Sequence, residues 1–229
     1  GVCYFDPNKI KFEHYFQNPT QSNFLNCNII KCISSDGNQL IIGTDGGGLN
    51  LVDRDLENLK YFTKKTGVNS ISSNTIMCLL PDGPEIWLGT WDAGLNLFDS
   101  RQGTFKHYTK IYSQYEVFDV EHVTALCKDR KGKIWVATFG FGLNYYSPAD
   151  DKLIHFSGRD AGNSVFDTEN IHCMIESSSG DLLMGTMDGL YRIKNPENNP
   201  TVIRYRYEPD DSLSLSNNLV VSLFEDINK

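Results

Sequence analysis

The chain has 229 residues, 40% of them hydrophobic and 22% charged, which suits one large or two small domains with a buried core. Its formal net charge of -8 argues against a duplex nucleic-acid binder, which needs a basic face to displace counterions, and disfavours anionic membrane surfaces. No apolar run approaches the ~18–20 residues that cross a bilayer, and the first residues lack the basic-then-apolar order of a signal peptide. The chain is therefore either cytosolic or carried with such segments removed or outside this stretch.

Laid on itself, the chain repeats. IIGTDGGGLNLVD (41–53), IWLGTWDAGLNLFD (86–99), IWVATFGFGLNYYSP (134–148) and LLMGTMDGLYRIK (182–194) align, with Thr44, Thr90, Thr138 and Thr186 separated by 46, 48 and 48 residues. Gly48, Gly94, Gly142 and Gly189 are separated by 46, 48 and 47 residues. In chain order, GVCYFD (1–6) and KFEHYF (11–16) match the third and fourth strands of a unit, so residues 1–16 read as a split unit. Four whole units follow at about 24–65, 70–110, 120–158 and 168–208, and SLSNNLVVSLFED (214–226) matches the first strand of another.

The second whole unit shows the internal plan. TIMCLL (75–80), EIWLGT (85–90), GLNLFD (94–99) and TFKHYT (104–109) have strand character and are separated by turn-forming residues. The last two alternate apolar and polar residues, as half-buried strands do, and the first two are more continuously apolar. Four antiparallel strands at a period of roughly 47 residues describe a β-propeller blade. The fold class is all-β, a partial propeller occupying the whole of 1–229. Joining the split pieces would give five blades with one strand missing; a slice of a larger ring fits the ends better. Trp87, Leu95, Leu97, Trp135, Leu143 and Tyr145 are expected between blades, and the Gly-Thr step is expected to use glycine for its backbone freedom.

Six cysteines (Cys3, Cys27, Cys32, Cys78, Cys127, Cys173) contain no CxxC pair. Cys32, Cys78, Cys127 and Cys173 fall in first strands and read as small core residues rather than disulfides or metal ligands. His14 and His107 occupy matching points of the outer strand, with His155 nearby, which is a structural recurrence. Asp53, Asp82, Asp99 and Asp129 recur in register as turn-holding side chains. No HExxH, GxSxG, P-loop or dinucleotide fingerprint occurs. No catalytic residue, metal site or cofactor is expected.

The order Ile71-Ser72-Ser73-Asn74 or Ser214-Leu215-Ser216-Asn217, then IW-GT, then G-G-L-N, resembles the two-component regulator propeller repeat of periplasmic sensors in Bacteroidetes hybrid two-component systems. Ala137 in place of the Gly-Thr glycine, and LLMGT without a tryptophan, depart from that pattern. The resemblance implies a seven-bladed ring in a receptor that detects oligosaccharides from polysaccharide breakdown. It also implies a homodimer in the full receptor, a periplasmic location, and membrane attachment only through a flanking helix absent from this stretch. The full-length protein would then be a histidine kinase, with no catalysis in this segment.

Loops joining second to third strands, and fourth to first strands, emerge on one face, where ligand sites gather. Trp91, Phe139 and Phe141 are aromatic rings on glycine-flanked loop tips. With Asp45, Asp92, Met187, Asp188 and His122 they form the candidate oligosaccharide site: rings stack on sugars, and carboxylates accept from hydroxyls. The alternatives are packing against the neighbouring blade, and a non-catalytic scaffold for dimerisation or domain assembly.

Overall fold

The computed structural model describes residues 25–53, 58–156 and 170–226. The split unit expected at 1–16 lies outside them. Among the described residues every regular element is a strand, and no helix is long and apolar enough to cross a membrane.

Four sheets, antiparallel apart from one parallel pair in the third, follow in chain order. The first contains β1 (Ile30–Ser35), β2 (Gln39–Thr44), β3 (Leu49–Asp53) and β4 (Leu59–Phe62). The second contains β5 (Ile76–Asp82), β6 (Glu85–Thr90), β7 (Leu95–Asp99) and β8 (Thr104–Tyr108). Next in sequence is a hairpin of β9 (Lys110–Tyr112) and β10 (Val117–Asp119), then β11 (Val123–Lys128), β12 (Ile134–Thr138), β13 (Leu143–Ser147) and β14 (Lys152–His155). The fourth sheet contains β15 (Ile171–Glu176), β16 (Leu182–Thr186), β17 (Gly189–Lys194) and β18 (Thr201–Tyr205). The first strands β1, β5, β11 and β15 contact one another in that order. This is the all-β, partial propeller architecture that the repeat predicts.

The core lies between sheets rather than within any one of them. Ile41, Leu49, Ile76, Leu88, Phe98 and Phe105 fill the first gap. Trp87, Leu95, Tyr108, Val123, Val136 and Leu153 fill the second, and Trp135, Leu143, Ile171, Met184 and Tyr191 the third. Trp87 and Trp135 are 2% and 0% exposed, so both are core residues.

The Gly-Thr step works differently from the sequence expectation. Gly43, Gly89 and Gly185 do not have positive φ; what they lack is room. A Cβ on Gly89 would lie 2.3 Å from Cys78 Sγ and 2.7 Å from Val123 Cγ1 of the next sheet. Gly43 meets Cys32 at 2.5 Å and Gly185 meets Cys173 at 2.6 Å in the same way. The cysteine thus occupies the space the glycine leaves. In the third sheet the pair is Ala125 and Ala137, directly opposite each other, and two small methyls replace one thiol and no side chain. Cys127 is two residues along, opposite Trp135, so it is not the counterpart of the other three. Burial pushes the thiols up, Cys32 to about 12 and Cys127 to about 11. They stay protonated and unreactive at neutral pH.

Two further expectations change. The third sheet has six strands, in the order β10-β9-β14-β13-β12-β11, because the connection after β8 forms a hairpin whose β9 pairs parallel with β14. Residues 214–226 form no strand and enter no ladder among the described residues. They nevertheless take the first-strand position. Val220 N donates to Thr186 O (2.9 Å), and the Glu225 carboxylate accepts from Ser178 N (2.6 Å) and Oγ (2.8 Å).

The turn carboxylates act as expected at Asp99 and Asp129, which accept backbone N–H groups of Arg101 and Gln102, and of Lys131 and Lys133. The long turn after β11 also lets Asp129 Oδ2 accept the Trp135 indole N–H at 2.9 Å. The turn after β5 is tight, with Asp82 facing Glu85 in the ladder, and Asp82 reaches across to Lys128 at 2.5 Å instead. The buried Trp87 Nε1 has no hydrogen-bond partner among the described residues.

Gly89→Ala is expected to lower stability by about 1–3 kcal/mol through overpacking, and Cys78→Ala in the same chain to recover part of that loss. Urea midpoints of both single variants and the double variant check this; simple additivity contradicts it. Trp135→Phe is expected to cost about 1–2 kcal/mol more than Trp87→Phe, because only Trp135 loses a hydrogen bond. Equal costs in the same titration contradict that reading.

Candidate functional site

The repeat fixes a loop between second and third strands. Thr44, Thr90, Thr138 and Thr186 are fully buried. Each donates its hydroxyl to the carbonyl of Gly48, Gly94, Gly142 or Gly189, at 2.7–3.0 Å. The glycine is obligatory: a Cβ on Gly94 (φ 73°) would lie 2.5 Å from Tyr108 O of the outer strand.

This loop locks adjacent sheets together. The amide after the threonine donates to the residue preceding its own first strand: Asp45 to Ile29 O, Trp91 to Thr75 O, Phe139 to His122 O. The loop glycine donates to the connection entering the next sheet: Gly48 to Asn74 O, Gly94 to Glu121 O, Gly189 to Asn218 O. The residue after each threonine must therefore meet the residue entering the next first strand. At the first junction that pair is Asp45 and Thr75, hydrogen-bonded at 3.1 Å. At the second it is Trp91 and His122.

Trp91 and His122 stack, with ring centroids 4.5 Å apart and planes at 30°. Phe139 lies 6.0 Å from Trp91 and 6.3 Å from His122. His122 Nδ1 is also in hydrogen-bonding contact with Trp91 O, which orients the imidazole, and its Nε2 lies 3.8 Å from Glu121. Trp91 remains 41% exposed, and Asp92 beside it faces solvent. The result is an aromatic platform shared by the second and third sheets, held from beneath by backbone bonds.

The other expected site residues divide. Phe141 turns inward onto Phe118 of β10, at 5.4 Å, and joins the core between those sheets; its ring packs rather than presenting a face. Asp45 pairs with Lys31 at 3.3 Å. Asp188 is held by Arg204 and by Arg206 (2.7 Å), and Met187 is exposed with Asn170 Nδ2 at 3.7 Å from its sulfur. Trp91, His122 and Phe139 are thus brought together, with Asp92 alongside, while Asp45, Met187 and Asp188 sit at other junctions. Phe118 was missed; its only signal was the alternation of Val117, Phe118 and Asp119 after an apolar Ile111.

A family described as two component regulator propeller matches residues 118–140, a span containing His122, Trp135 and Phe139. No curated protein matches the chain. Among solved structures, the extracellular domain of BT4673 from B. thetaiotaomicron, described as a hybrid two component system, superposes with a TM-score of 0.72 at 22% identity. That likeness covers 93% of this chain and 26% of that one, so the chain spans about a quarter of that relative's length. The extracellular domain of BT3049 from the same organism, another hybrid two component system, gives 0.51 at 18% identity over 87% of this chain and 31% of that one. A streptogramin B lyase gives 0.52 at 13% identity, covering 77% of this chain and 54% of its own. That neighbour shows the fold also carries an enzyme, so the fold alone does not name an activity. The likeness to the two component regulator propeller repeat thus falls on residues 118–140, which include the His122 side of the Trp91–His122 junction.

Proposed function

We propose that this chain is part of an extracytoplasmic, periplasmic sensing propeller that binds an oligosaccharide on the Trp91–His122–Phe139 platform. The signal then passes to a histidine kinase elsewhere in a homodimeric receptor. The observation carrying this reading is the half-exposed Trp91 ring, stacked and oriented at the one described junction that pairs two aromatic rings. An exposed indole face backed by a fixed ring suits the C–H face of a sugar, and Asp92 can accept from its hydroxyls. The sequence family and the extracellular neighbours support the sensor role.

A second reading is a scaffold for assembly. It is favoured by the outer edge of the third sheet, where β10 and its turn expose Tyr115 (72%) and Val117 (55%).

Calorimetric titration with a glycan panel separates the two. Saturable binding is expected, weakened about tenfold or more by Trp91→Ala and by Phe139→Ala, with little change in melting temperature for Trp91→Ala because its ring is exposed. Unchanged affinity in both variants removes the platform from the site. No binding to any glycan, with self-association abolished by Val117→Lys, supports the scaffold.

A further inference from the structure

The outer edges of the sheets are not protected alike. In the second sheet the Asn69 side chain covers the edge of β8: its amide donates to Phe105 O at 2.8 Å, and its carbonyl accepts from Phe105 N at 2.6 Å. In the third sheet the edge of β14 is taken by β9, which moves the free edge out to β10. Among the described residues nothing caps that edge. Val117–Asp119 also has none of the lysine, proline or bulge with which proteins blunt exposed edges.

The ladder with β9 fixes which backbone groups face outward. Val120 N donates to Thr109 O at 3.0 Å and Ser113 N to Glu116 O at 2.9 Å. Bonded pairs alternate along an antiparallel ladder, so the pair between these two is Phe118 with Ile111. Val117 and Asp119 therefore turn their N–H and C=O groups away from β9, and their side chains share an exposed face. Phe118 points the other way, with its ring 5.4 Å from Phe141 and 6.5 Å from His155, and the fully buried Ile111 anchors β9. The edge is thus held in place before anything meets it, which lowers the ordering cost of docking. Its charge is negative. The Asp119 and Glu121 side chains are 73% and 68% exposed, Glu116 is exposed too, and Lys110 pairs with Asp119 at 2.5 Å.

We propose that the edge of β10 receives an extended, basic segment of another protein, added to the third sheet as an antiparallel strand. The outward N–H and C=O groups of Val117 and Asp119 supply the backbone bonds. Directly opposed side chains touch across a ladder, so the added strand needs a β-branched residue opposite Val117 and a Lys or Arg opposite Asp119. Antiparallel order puts that basic residue two positions before the β-branched one. A second basic residue, just after the β-branched one, then lies opposite Glu116. A second copy of the same edge is a poorer occupant, because it brings further carboxylates to an edge already short of cations.

This docking stands whether or not the Trp91 platform binds glycans. The test is calorimetric titration of the chain at low salt with the peptide acetyl-Thr-Lys-Thr-Val-Lys-Thr-amide. It is repeated with a peptide carrying Glu for both Lys, and with two N-methylated forms. One form is blocked at the first Lys and the Val, whose N–H groups face β10; the other is blocked at the central Thr and second Lys, whose N–H groups face away. The chain variants are Val117→Pro, Asp119→Lys and Trp91→Ala, with folding of each checked by circular dichroism. Val117→Pro removes an outward N–H and leaves the ladder with β9 intact. The parent peptide is expected to saturate, and to bind about tenfold more weakly to Val117→Pro or when blocked at the first Lys and Val. Binding is expected to weaken with Asp119→Lys, and to be unchanged with Trp91→Ala or when the peptide is blocked on its far side. Should Val117→Pro not fold, Asp119→Lys and the two methylated forms decide in its place. Parental affinity in Val117→Pro overturns the proposal, as do equal binding of the two methylated forms, equal binding of the Glu peptide, or no saturation. Self-association of the chain that is lost in Val117→Pro, with no peptide bound, overturns it in favour of a second copy.

Discussion

A four-stranded sheet with apolar side chains on both faces has no means of covering either face by itself, and everything else in this chain follows from that constraint. The three larger core clusters each draw their residues from two successive sheets, and in each gap one first strand approaches the next. At that contact the glycine of the Gly-Thr step leaves a gap that a cysteine thiol fills, with Val123 pressing from the neighbouring sheet at the Gly89 position. The alanine pair of the third sheet shows that the requirement is on summed volume, not on a particular residue.

The same interlock builds the candidate site. The buried threonine ties the loop to its glycine, and the glycine amide reaches the connection entering the next sheet. Side chains on those two segments are therefore forced together at every junction, whatever their chemistry. Function is then written by substitution at fixed places. Asp45 with Thr75 makes a polar tie, and Trp91 with His122 makes an aromatic one. The backbone beneath is the same, so the platform is preorganised by bonds the repeat needs anyway. The inserted hairpin adds to this by placing Phe118 under Phe141, stiffening the loop that carries Phe139.

Much of this was legible in the sequence. The period, the strand order within a blade and the burial of Trp87 and Trp135 follow from alternation and self-similarity. The convergence of Trp91, His122 and Phe139 was foreseen only as residues on one face, because which loop meets which depends on backbone bonds between blades. The hairpin at 110–119 gave no length signal: the connection from β8 to β11 is about as long as the one from β4 to β5. What differs is chemistry. Asn69, Ser70 and Asn74 cap the earlier connection with side-chain bonds to backbone, whereas after β8 the segment Lys110–Tyr112 pairs with β14 and Ser113 caps the turn that folds Val117–Asp119 back onto it. The glycine of Gly-Thr was assigned to φ when space was the cause, a distinction only packing reveals. The strand expected at 214–226 occupies its place through single bonds such as Val220 N to Thr186 O rather than through a ladder, which the self-match does not distinguish.

The most direct test of a platform built by the blade interlock is to follow the three indole N–H resonances by NMR while a bound glycan is titrated in. The account predicts that the Trp91 signal moves to saturation, while that of Trp135, sealed in the core and bonded to Asp129, stays in place. A Trp91 signal that does not respond at saturating glycan would contradict it.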